Sequence, residues 1–210
     1  MFTALTVLVI CYLLGSIPTS IIVCKKLKNI DIREHGSGNA GATNVYRVMG
    51  LKVALFVLAI DALKGAVAVI VAKNMMWSWG DAAGMFGGLI AILGHIWTVF
   101  AEFKGGKGIG PALGVFIALL PFQAAISLGG WIFIVYKTKT VSIASISAGF
   151  LLFLSTLITH VACPESTNIR LVIFTFLVAV LIVVTHRKNI GRIMAGTENK
   201  LTFGKKDSNE

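Results

Sequence analysis

The strongest constraint on this sequence is a series of apolar runs, several of them long enough to cross a lipid bilayer as a helix. The runs cover residues 3–24, 51–72, 82–100, 109–136, 141–162 and 169–185. A hydrocarbon core about 30 Å thick needs about 20 apolar residues of α-helix. Because backbone N–H and C=O groups must be paired within hydrocarbon, such runs are expected to be helical. The sequence therefore predicts an all-α integral membrane protein.

The number of spans depends on the fourth run, residues 109–136, which is too long for one helix. It contains Leu119-Leu120-Pro121, and proline cannot continue a helical hydrogen-bond ladder. Dividing the run there predicts a bundle of seven transmembrane helices, whereas one tilted, kinked helix would give six. The first run has no basic residue before it and no cleavage-site pattern near its end, so we interpret it as a retained span.

The distribution of lysine and arginine favours seven spans over six. Seven spans gather most basic residues on one side, in residues 25–52, 101–108 and 137–140 and in the tail after 185. The other side then keeps only Lys73 and Arg170. Basic residues concentrate in cytoplasmic loops. We therefore expect the N-terminus outside and the C-terminus in the cytoplasm of a bacterial cytoplasmic (inner) membrane.

The net charge of +10 could indicate a nucleic-acid-binding protein, but the overall composition argues against one. Only 13% of the residues are charged and the mean hydropathy is +0.86, whereas soluble domains carry about 25% charged residues. Basic loops at a membrane attract anionic lipids and anionic substrates instead. We expect membrane lipids as partners, no nucleic acid, one membrane domain over residues 1–201, and a polar, disordered tail over residues 202–210.

The first polar segment that suits chemistry is a glycine loop, residues 36–44, followed by Arg47. It matches G-x-G-x-x-G, but that pattern indicates dinucleotide binding only between a strand and a helix, and no such unit fits here. The loop combines glycine backbone donors with hydroxyl, amide and guanidinium groups, a set that suits phosphate. The alternative is a flexible connection. The candidate binding residues of the loop are Gly36, Ser37, Gly38, Asn39 and Asn44.

The second segment is a lysine loop, residues 104–108, at the predicted start of a helix. It is not a Walker A loop, because Lys107 is followed by Gly108 where that motif needs Ser or Thr. Glycines around a lysine at a helix start still favour anion binding through backbone N–H groups and the helix dipole. A basic loop that only enforces topology is the alternative. The candidates are Lys104, Gly105, Gly106, Lys107 and Gly108.

Other polar residues lie near the end of the last run and inside two earlier ones. His186 and Asn189 share a helix face if that helix continues, and Glu198 follows in Gly196-Thr197-Glu198. Asp61 and Lys64, three residues apart inside the second run, are either functional or a structural ion pair that ties their helix to a neighbour, the interpretation we favour. His95 is expected to be packed and hydrogen-bonded. Since histidines and cysteines do not cluster at metal-ligand spacing, we expect no metal and no cofactor.

Eight motifs follow one another along the chain. They are L-G-S-I-P at 14–18, G-S-G-N-x-G-A-T-N-x-x-R at 36–47, D-x-x-K-G at 61–65, G-H at 94–95, F-K-G-G-K-G at 103–108, V-S-x-A-S at 141–145, H-R-x-N-I at 186–190 and G-T-E at 196–198. In order and spacing, they resemble the membrane-embedded acyl-phosphate:glycerol-3-phosphate acyltransferases of the PlsY type. The resemblance extends over almost the whole chain.

The resemblance implies a fold, a reaction and a set of site residues. Members have seven helices and an external N-terminus, and they transfer an acyl group from acyl phosphate to the 1-hydroxyl of glycerol 3-phosphate, which yields lysophosphatidic acid and inorganic phosphate. A functional link to the enzyme that makes acyl phosphate follows. Many members carry Ala-Thr where this chain has Gly110-Pro111, so no hydroxyl contact is assigned there. By position, the polar site comprises Ser37, Arg47, Lys107, His186 and Asn189, supported by Asn44, Ser142 and Glu198.

The residues suggest direct attack by the glycerol hydroxyl, since no Ser-His-Asp or Cys-His arrangement is evident. The proton would pass to His186 or to a phosphate oxygen of the donor. We expect the acyl chain in a groove between helices that opens to the inner leaflet and is lined by residues of the two short spans on either side of Pro121. A small transporter of an anionic metabolite is the main alternative, but transporters bind at the membrane midplane, whereas the polar residues here crowd one face.

Overall fold

The computed structural model describes residues 2–201, and every regular element within them is a helix. The helices are α1 (Phe2–Ser16), α2 (Thr19–Lys28), α3 (Ala42–Met49), α4 (Leu51–Met75), α5 (Asp81–Ile96), α6 (Ile109–Leu119), α7 (Pro121–Thr138), α8 (Val141–Ala162), α9 (Ile169–Thr185) and α10 (Arg187–Met194). Short 3-10 turns cover Ile32–Glu34, Trp77–Trp79 and Val99–Ala101. The all-α prediction is confirmed. The predicted tail, 202–210, lies outside the described residues.

Within residues 2–201, four helical stretches have the length and apolar character needed to cross a membrane. They are Ala4–Lys28, which joins α1 and α2, Leu51–Met75, Asp81–Ala101 and Val141–Ala162. A fifth is possible if α9 and α10, which are bent by 60° relative to each other, count as one span. The chain is thus a multi-pass integral membrane protein. The count of seven spans stays a prediction, because α6 has only 11 residues.

The long fourth run is divided where proline predicts. Helix α6 ends at Leu119, Leu120 leaves the helical conformation with φ −143° and ψ 64°, and α7 begins at Pro121. Proline is well suited to a first helical position, where its missing N–H has no partner to lose. The N–H of Leu120 still donates to Phe116 O at 2.7 Å. The long apolar run is therefore divided into two helices at the predicted position.

Small residues allow the helices to approach each other closely. A Cβ atom on Gly114 of α6 would lie 1.7 Å from the carbonyl oxygen of Ala62 in α4, and one on Gly65 would lie 2.2 Å from Pro111 O. Close backbone approach of this kind is a main source of helix association within membranes, where burial of apolar surface adds little. Helices α1, α4, α5 and α6 pack together in this way, and α7, α8 and α9 pack in sequence beside them.

The two groups of helices share an apolar core and meet again at one end of the bundle. The core includes Val69, Ile92, Val115, Phe116, Ala124, Leu152, Phe174 and Val178. At the end, Arg33 donates to Ala101 O at 3.2 Å, and the N–H of Leu201 donates to Lys139 O at 2.7 Å. The first contact joins the connections after α2 and α5. The second joins the connection after α7 to residues 196–201, which we call the C-terminal segment.

Candidate functional site

A hydrogen-bonded chain of polar side chains occupies the end of the bundle where the connections meet. The ammonium group of Lys107 donates to Asn189 Oδ1, and Asn189 Nδ2 donates to Glu198 Oε1 at 2.5 Å. Glu198 also accepts from the Ser142 hydroxyl at 2.8 Å and from Arg192 Nε at 2.7 Å. Residues from the lysine loop, α8, α10 and the C-terminal segment are thereby brought into one cluster, which we call the Lys107 cluster.

The lysine loop lies on the C-terminal end of α5, and its backbone explains its glycines. The N–H groups of Gly105 and Gly106 donate to Ile96 O and His95 O, both at 3.1 Å. These two N–H groups are therefore already paired, and the structure gives them a role in shaping the loop. Gly108 adopts φ +85°, a conformation that favours glycine, and is the N-cap of α6. Lys104 is exposed and lies 3.2 Å from Glu102, away from the cluster.

Lys107 is placed so that its charge is only partly hydrated. Burial lowers the pKa of its ammonium group from 10.5 to about 8; Glu198 opposes this shift, while Arg192 and Arg47 add to it. Its loop carbonyl accepts a hydrogen bond from the Thr185 hydroxyl at 3.3 Å. A partly dehydrated lysine beside two arginines forms an electropositive site that suits a phosphate group.

His186 lies at the corner between α9 and α10. Its Nδ1 is 2.8 Å from Ile182 O, which assigns the ring proton to Nδ1 and leaves Nε2 as an acceptor. Burial and, to a smaller extent, the charge of Lys107 lower the pKa of this imidazole to about 4, against smaller opposing effects of Ile182 O and Glu198. His186 is therefore neutral near pH 7 and a weak base.

Arg47 reaches the cluster from α3. Its guanidinium donates to Asn199 O at 3.3 Å, so it contacts the C-terminal segment next to Glu198. Burial lowers the pKa of Arg47, while the nearby carboxylate of Glu198 opposes that shift. An arginine remains charged at every physiological pH. The cluster thus contains three fixed or nearly fixed cations, Arg47, Lys107 and Arg192, and one carboxylate, Glu198.

The glycine loop is organised around the side chain of Asn44. Its Nδ2 donates to His35 O at 2.8 Å and Ile32 O at 3.0 Å, and its Oδ1 accepts from the Ser37 N–H at 2.7 Å. Gly36 has φ +61°, and a Cβ there would lie 2.3 Å from Asn44 Oδ1. Asn44 is almost fully buried, so its role is to shape the loop that presents Ser37.

An apolar groove of about 650 Å³ of empty space, partly open to the surroundings, lies between α4, α6, α7, α8 and α9. Its lining includes Ala112, Phe116, Ala124, Trp131, Gly149 and Leu152. Two further lining residues connect it to the polar cluster. Ile109 is two residues after Lys107, and Ile182 provides the carbonyl that accepts from His186. The groove therefore leads from the cations toward the break at Pro121.

A second polar group is buried where α1 and α2 meet α4 and α5. Lys64 Nζ lies 2.8 Å from Asp61 Oδ1, 2.8 Å from Ile17 O and 3.0 Å from His95 Nδ1. Asp61 also accepts from the Thr19 hydroxyl at 2.9 Å. We call Asp61, Lys64, His95 and Thr19 the buried charge cluster. The ion pair and the hydrogen-bonded His95 that the sequence predicts are both formed.

A sequence model of a family described as "Glycerol-3-phosphate acyltransferase" matches residues 5–196. The chain belongs to the glycerol-3-phosphate acyltransferase family. The family match agrees with the resemblance carried by the eight motifs and favours an enzyme over the transporter alternative.

Relatives of this acyltransferase with the same name cover almost its whole length. The protein named glycerol-3-phosphate acyltransferase in Chlorobaculum tepidum is 40% identical to this chain, and the match covers 99% of this chain and 100% of the relative. The relative of the same name in Fusobacterium nucleatum is also 40% identical, and the match covers 93% of this chain and 97% of the relative. Crystal structures of PlsY, an integral membrane glycerol 3-phosphate acyltransferase, in its glycerol 3-phosphate and lysophosphatidic acid forms are 37% identical to this chain. Each PlsY structure matches 95% of this chain. The match covers 96% of the chain in the glycerol 3-phosphate form and 95% in the lysophosphatidic acid form, with TM-scores of 0.84 and 0.83.

The predicted site residues of this acyltransferase fall into three groups. Lys107, Asn189, Ser142 and Glu198 are hydrogen-bonded to one another, and Arg47 and His186 lie beside them. The glycine loop contacts the lysine loop, since Ala40 O is near Gly106, and Gly36, Ser37, Gly38 and Asn39 belong to it. Lys104, Gly105 and Gly106 make the separate contacts described above.

Sequence reasoning overlooked two residues of this site. Arg192 binds Glu198 Oε2 at 2.7 Å, and Thr185 binds the Lys107 carbonyl. Arg192 is three residues after Asn189 on α10, so the same helix-face argument that joins His186 to Asn189 would have found it. Thr185 had no comparable signal, because its partner is a backbone carbonyl 78 residues away.

Proposed function

We propose that this protein transfers an acyl group from acyl phosphate to the 1-hydroxyl of glycerol 3-phosphate, forming lysophosphatidic acid and inorganic phosphate. The observation that supports this most is the position of the Lys107 cluster at one end of the apolar groove. Cations suit the phosphate groups of both substrates, and the groove suits the acyl chain of one. An enzyme with these two features side by side can hold a phosphorylated polyol against an acyl donor.

We assign different cations to the two phosphates. Arg47, with Ser37 and His186, orients glycerol 3-phosphate, because a guanidinium binds a phosphate through a forked contact that lysine cannot make. The Ser37 hydroxyl makes no hydrogen bond to another residue between 2 and 201, so it is available for this substrate. Lys107 and the start of α6 bind the phosphate of the donor. Lys104 then contributes only long-range charge, and Gly105 and Gly106 keep the loop in shape.

The reaction needs no covalent intermediate on the protein. The glycerol oxygen forms a bond with the acyl carbon, and the bond between that carbon and the phosphate oxygen breaks, so inorganic phosphate leaves. Acyl phosphate is already an activated anhydride, and orientation alone provides effective molarities of about 10⁵ M or more. The cations stabilise the negative charge that develops on the carbonyl oxygen and on the leaving phosphate.

The proton of the glycerol hydroxyl goes to a phosphate oxygen of the donor. His186 is the other candidate, but the pKa of its imidazole is about 4, which makes it a poor base near neutral pH. The phosphate becomes more basic as its bond to the acyl carbon breaks, so one of its oxygens can take up the proton as it leaves. His186 Nε2, an acceptor, then serves to orient a hydroxyl group of glycerol 3-phosphate.

We propose that the site faces the cytoplasm of a bacterial inner membrane. The single membrane domain of residues 1–201 would cross seven times, through the spans named above with α6 and α7 as two separate crossings. The connections that carry most lysines and arginines contact one another at one end of the bundle, which supports a cytoplasmic location for that end. Glycerol 3-phosphate and acyl phosphate would enter there, the latter from the enzyme that makes it.

Phosphate release by the purified protein tests the reaction. Palmitoyl phosphate is supplied in detergent or lipid with and without glycerol 3-phosphate, and acyl-CoA replaces it in a parallel assay. Arg47→Ala and Lys107→Ala are compared with Lys137→Ala, whose exposed ammonium lies over the Phe133 ring, 5.9 Å from its centre, outside the cluster. We expect release that requires glycerol 3-phosphate, is absent with acyl-CoA and is lost in the first two variants only.

Two results would contradict the proposal in different ways. A covalent acyl-enzyme trapped from palmitoyl phosphate alone would exclude direct attack while leaving the donor assignment in place. Folded protein that releases no phosphate from any acyl phosphate but acylates glycerol 3-phosphate from acyl-CoA would exclude the donor. In the latter case the family activity would remain, with a different acyl source.

A further inference from the structure

The buried charge cluster contacts the lysine loop and the first turn of α6 at two points, one on each side of Lys107 in the sequence. A Cβ atom on Gly106 would lie 2.2 Å from His95 Nε2 and 3.0 Å from Cε1, so the edge of the imidazole touches the residue that precedes Lys107. A Cβ atom on Gly110 would lie 2.8 Å from the Cβ of Asp61. The first turn of α6 therefore rests on the same cluster as the loop.

The orientation of His95 is fixed by its neighbours. An ammonium group only donates hydrogen bonds, so the 3.0 Å contact with Lys64 Nζ makes Nδ1 of His95 the acceptor. Lys64 is held in turn by Asp61 and by Ile17 O, both at 2.8 Å. His95 is buried, as are Asp61 and Lys64. The ring is therefore held through Nδ1 by Lys64, which the ion pair with Asp61 keeps in place.

We propose that the Asp61–Lys64–His95 group holds Lys107 in its working position and that His95 is a positioning residue for the reaction. The inference rests on the proposed function, because it takes Lys107 as the cation that binds substrate phosphate. The side chain of Lys107 must reach Asn189 on α10 from a five-residue loop that contains three glycines. Such a loop has little stiffness of its own, so a fixed support beside Gly106 determines where the ammonium group lies.

The test is a pair of single variants and their combination. In His95→Asn the amide oxygen can replace Nδ1 as the acceptor for Lys64, but the atoms that touch Gly106 are gone. In Gly106→Ala the added methyl group collides with His95 Nε2 and displaces the loop. In the double variant the methyl group occupies the space that the ring has left, so the support is restored without an imidazole.

We expect each single variant to be slower than the wild type, on the order of 100-fold for a displacement of about 1 Å, and the double variant to be faster than both. Rates are measured well below the unfolding temperature of each protein in detergent, so a role in stability alone would leave all of them near the wild-type rate. His160→Asn is the matched control, since its ring contacts Thr167 O at 2.9 Å and lies far along α8 from the lysine loop.

Three results separate this inference from the proposed function. A full rate in His95→Asn, or a double variant slower than both single ones, would overturn the positioning role of His95. Lys107→Met with a full rate would instead overturn the role of Lys107 in the proposed function. If His95→Asn does not fold, Gly106→Ala and Gly106→Ser decide the question, because both add atoms at the same point and should lower kcat while the unfolding temperature stays close to that of the wild type.

Discussion

Glu198 accepts a hydrogen bond from the side-chain amide of Asn189 at 2.5 Å. This bond orients the amide, because Nδ2 must point to the carboxylate and Oδ1 must then point to Lys107. Glu198 is itself held by Ser142 and Arg192. Hydrogen bonding to these three groups lowers its pKa despite the opposite effect of burial. The carboxylate thus links three parts of the chain and aligns a neutral group with a cation.

Asn189→Asp should abolish most of the activity. The new carboxylate cannot donate to Glu198, and two negative charges would lie within hydrogen-bond distance of each other and of Lys107. Loss of a hydrogen bond to a charged group costs about 1.5–3 kcal/mol, so we expect a decrease of about 10-fold to 100-fold in kcat/KM. Asn199→Ala is the control, since Asn199 contributes only its backbone carbonyl to Arg47. Equal rates in the two variants would contradict this role of Asn189.

The pH dependence should report the ionisation of Lys107. Its pKa in the free protein is lowered to about 8, so the ammonium form that binds phosphate is complete well below pH 8 and is lost above it. We therefore expect kcat/KM for the acyl donor to decrease above about pH 8, and kcat to decrease only at higher pH, because a bound phosphate raises the pKa. The measurement is a pH profile of both parameters over the alkaline range.

Neighbouring charges should shift the alkaline limb of the kcat/KM profile, the pH range in which kcat/KM falls, in opposite directions. Glu198 raises the pKa of Lys107 and Arg192 lowers it. Glu198→Gln should therefore shift the limb to lower pH, and Arg192→Gln should shift it to higher pH, whatever each substitution does to the maximal rate. A limb that moves in the same direction in both variants would mean that another group controls it.

The sequence predicts the helices of this protein more completely than its site. The runs 141–162 and 169–185 coincide with α8 and α9, because each is bounded by polar residues that begin or end a helix. The bounds of the run 3–24 were less accurate, since α2 continues to Lys28 and ends with three exposed lysines, Lys25, Lys26 and Lys28. The break between α1 and α2, beside Pro18, carried the same proline signal as the break at Pro121.

Composition and motif identified the residues of the site, but they could not assign what each residue contacts. Glycine suggested that the lysine loop offers free N–H groups, whereas the N–H groups of Gly105 and Gly106 are used by α5. Asn44 suggested a substrate ligand, whereas both ends of its amide are already hydrogen-bonded to backbone groups of Ile32, His35 and Ser37. These roles depend on contacts that form only after the helices pack, so a single sequence does not reveal them.

Arg47→Lys should separate the two phosphate sites. Lysine keeps the positive charge but cannot make the forked contact of a guanidinium, and it would lose the fixed hydrogen bond to Asn199 O. We expect the KM for glycerol 3-phosphate to rise about tenfold or more, with a smaller change in the KM for acyl phosphate. Steady-state kinetics with each substrate varied in turn measures both. The opposite pattern would assign Arg47 to the donor phosphate.

Filling the apolar groove should change which acyl chains the enzyme accepts. Gly149 of α8 lines the groove, and a Cβ atom there would already lie 3.1 Å from Ile182 Cδ1. Gly149→Leu should therefore reduce the rate with palmitoyl phosphate far more than the rate with a short-chain acyl phosphate. Gly129→Leu on α7 is the matched control, because a Cβ atom at Gly129 has no neighbour within 4 Å and the position is exposed. If Gly149→Leu slows both donors equally, the groove does not hold the acyl chain at this position, and the substitution acts through helix packing instead.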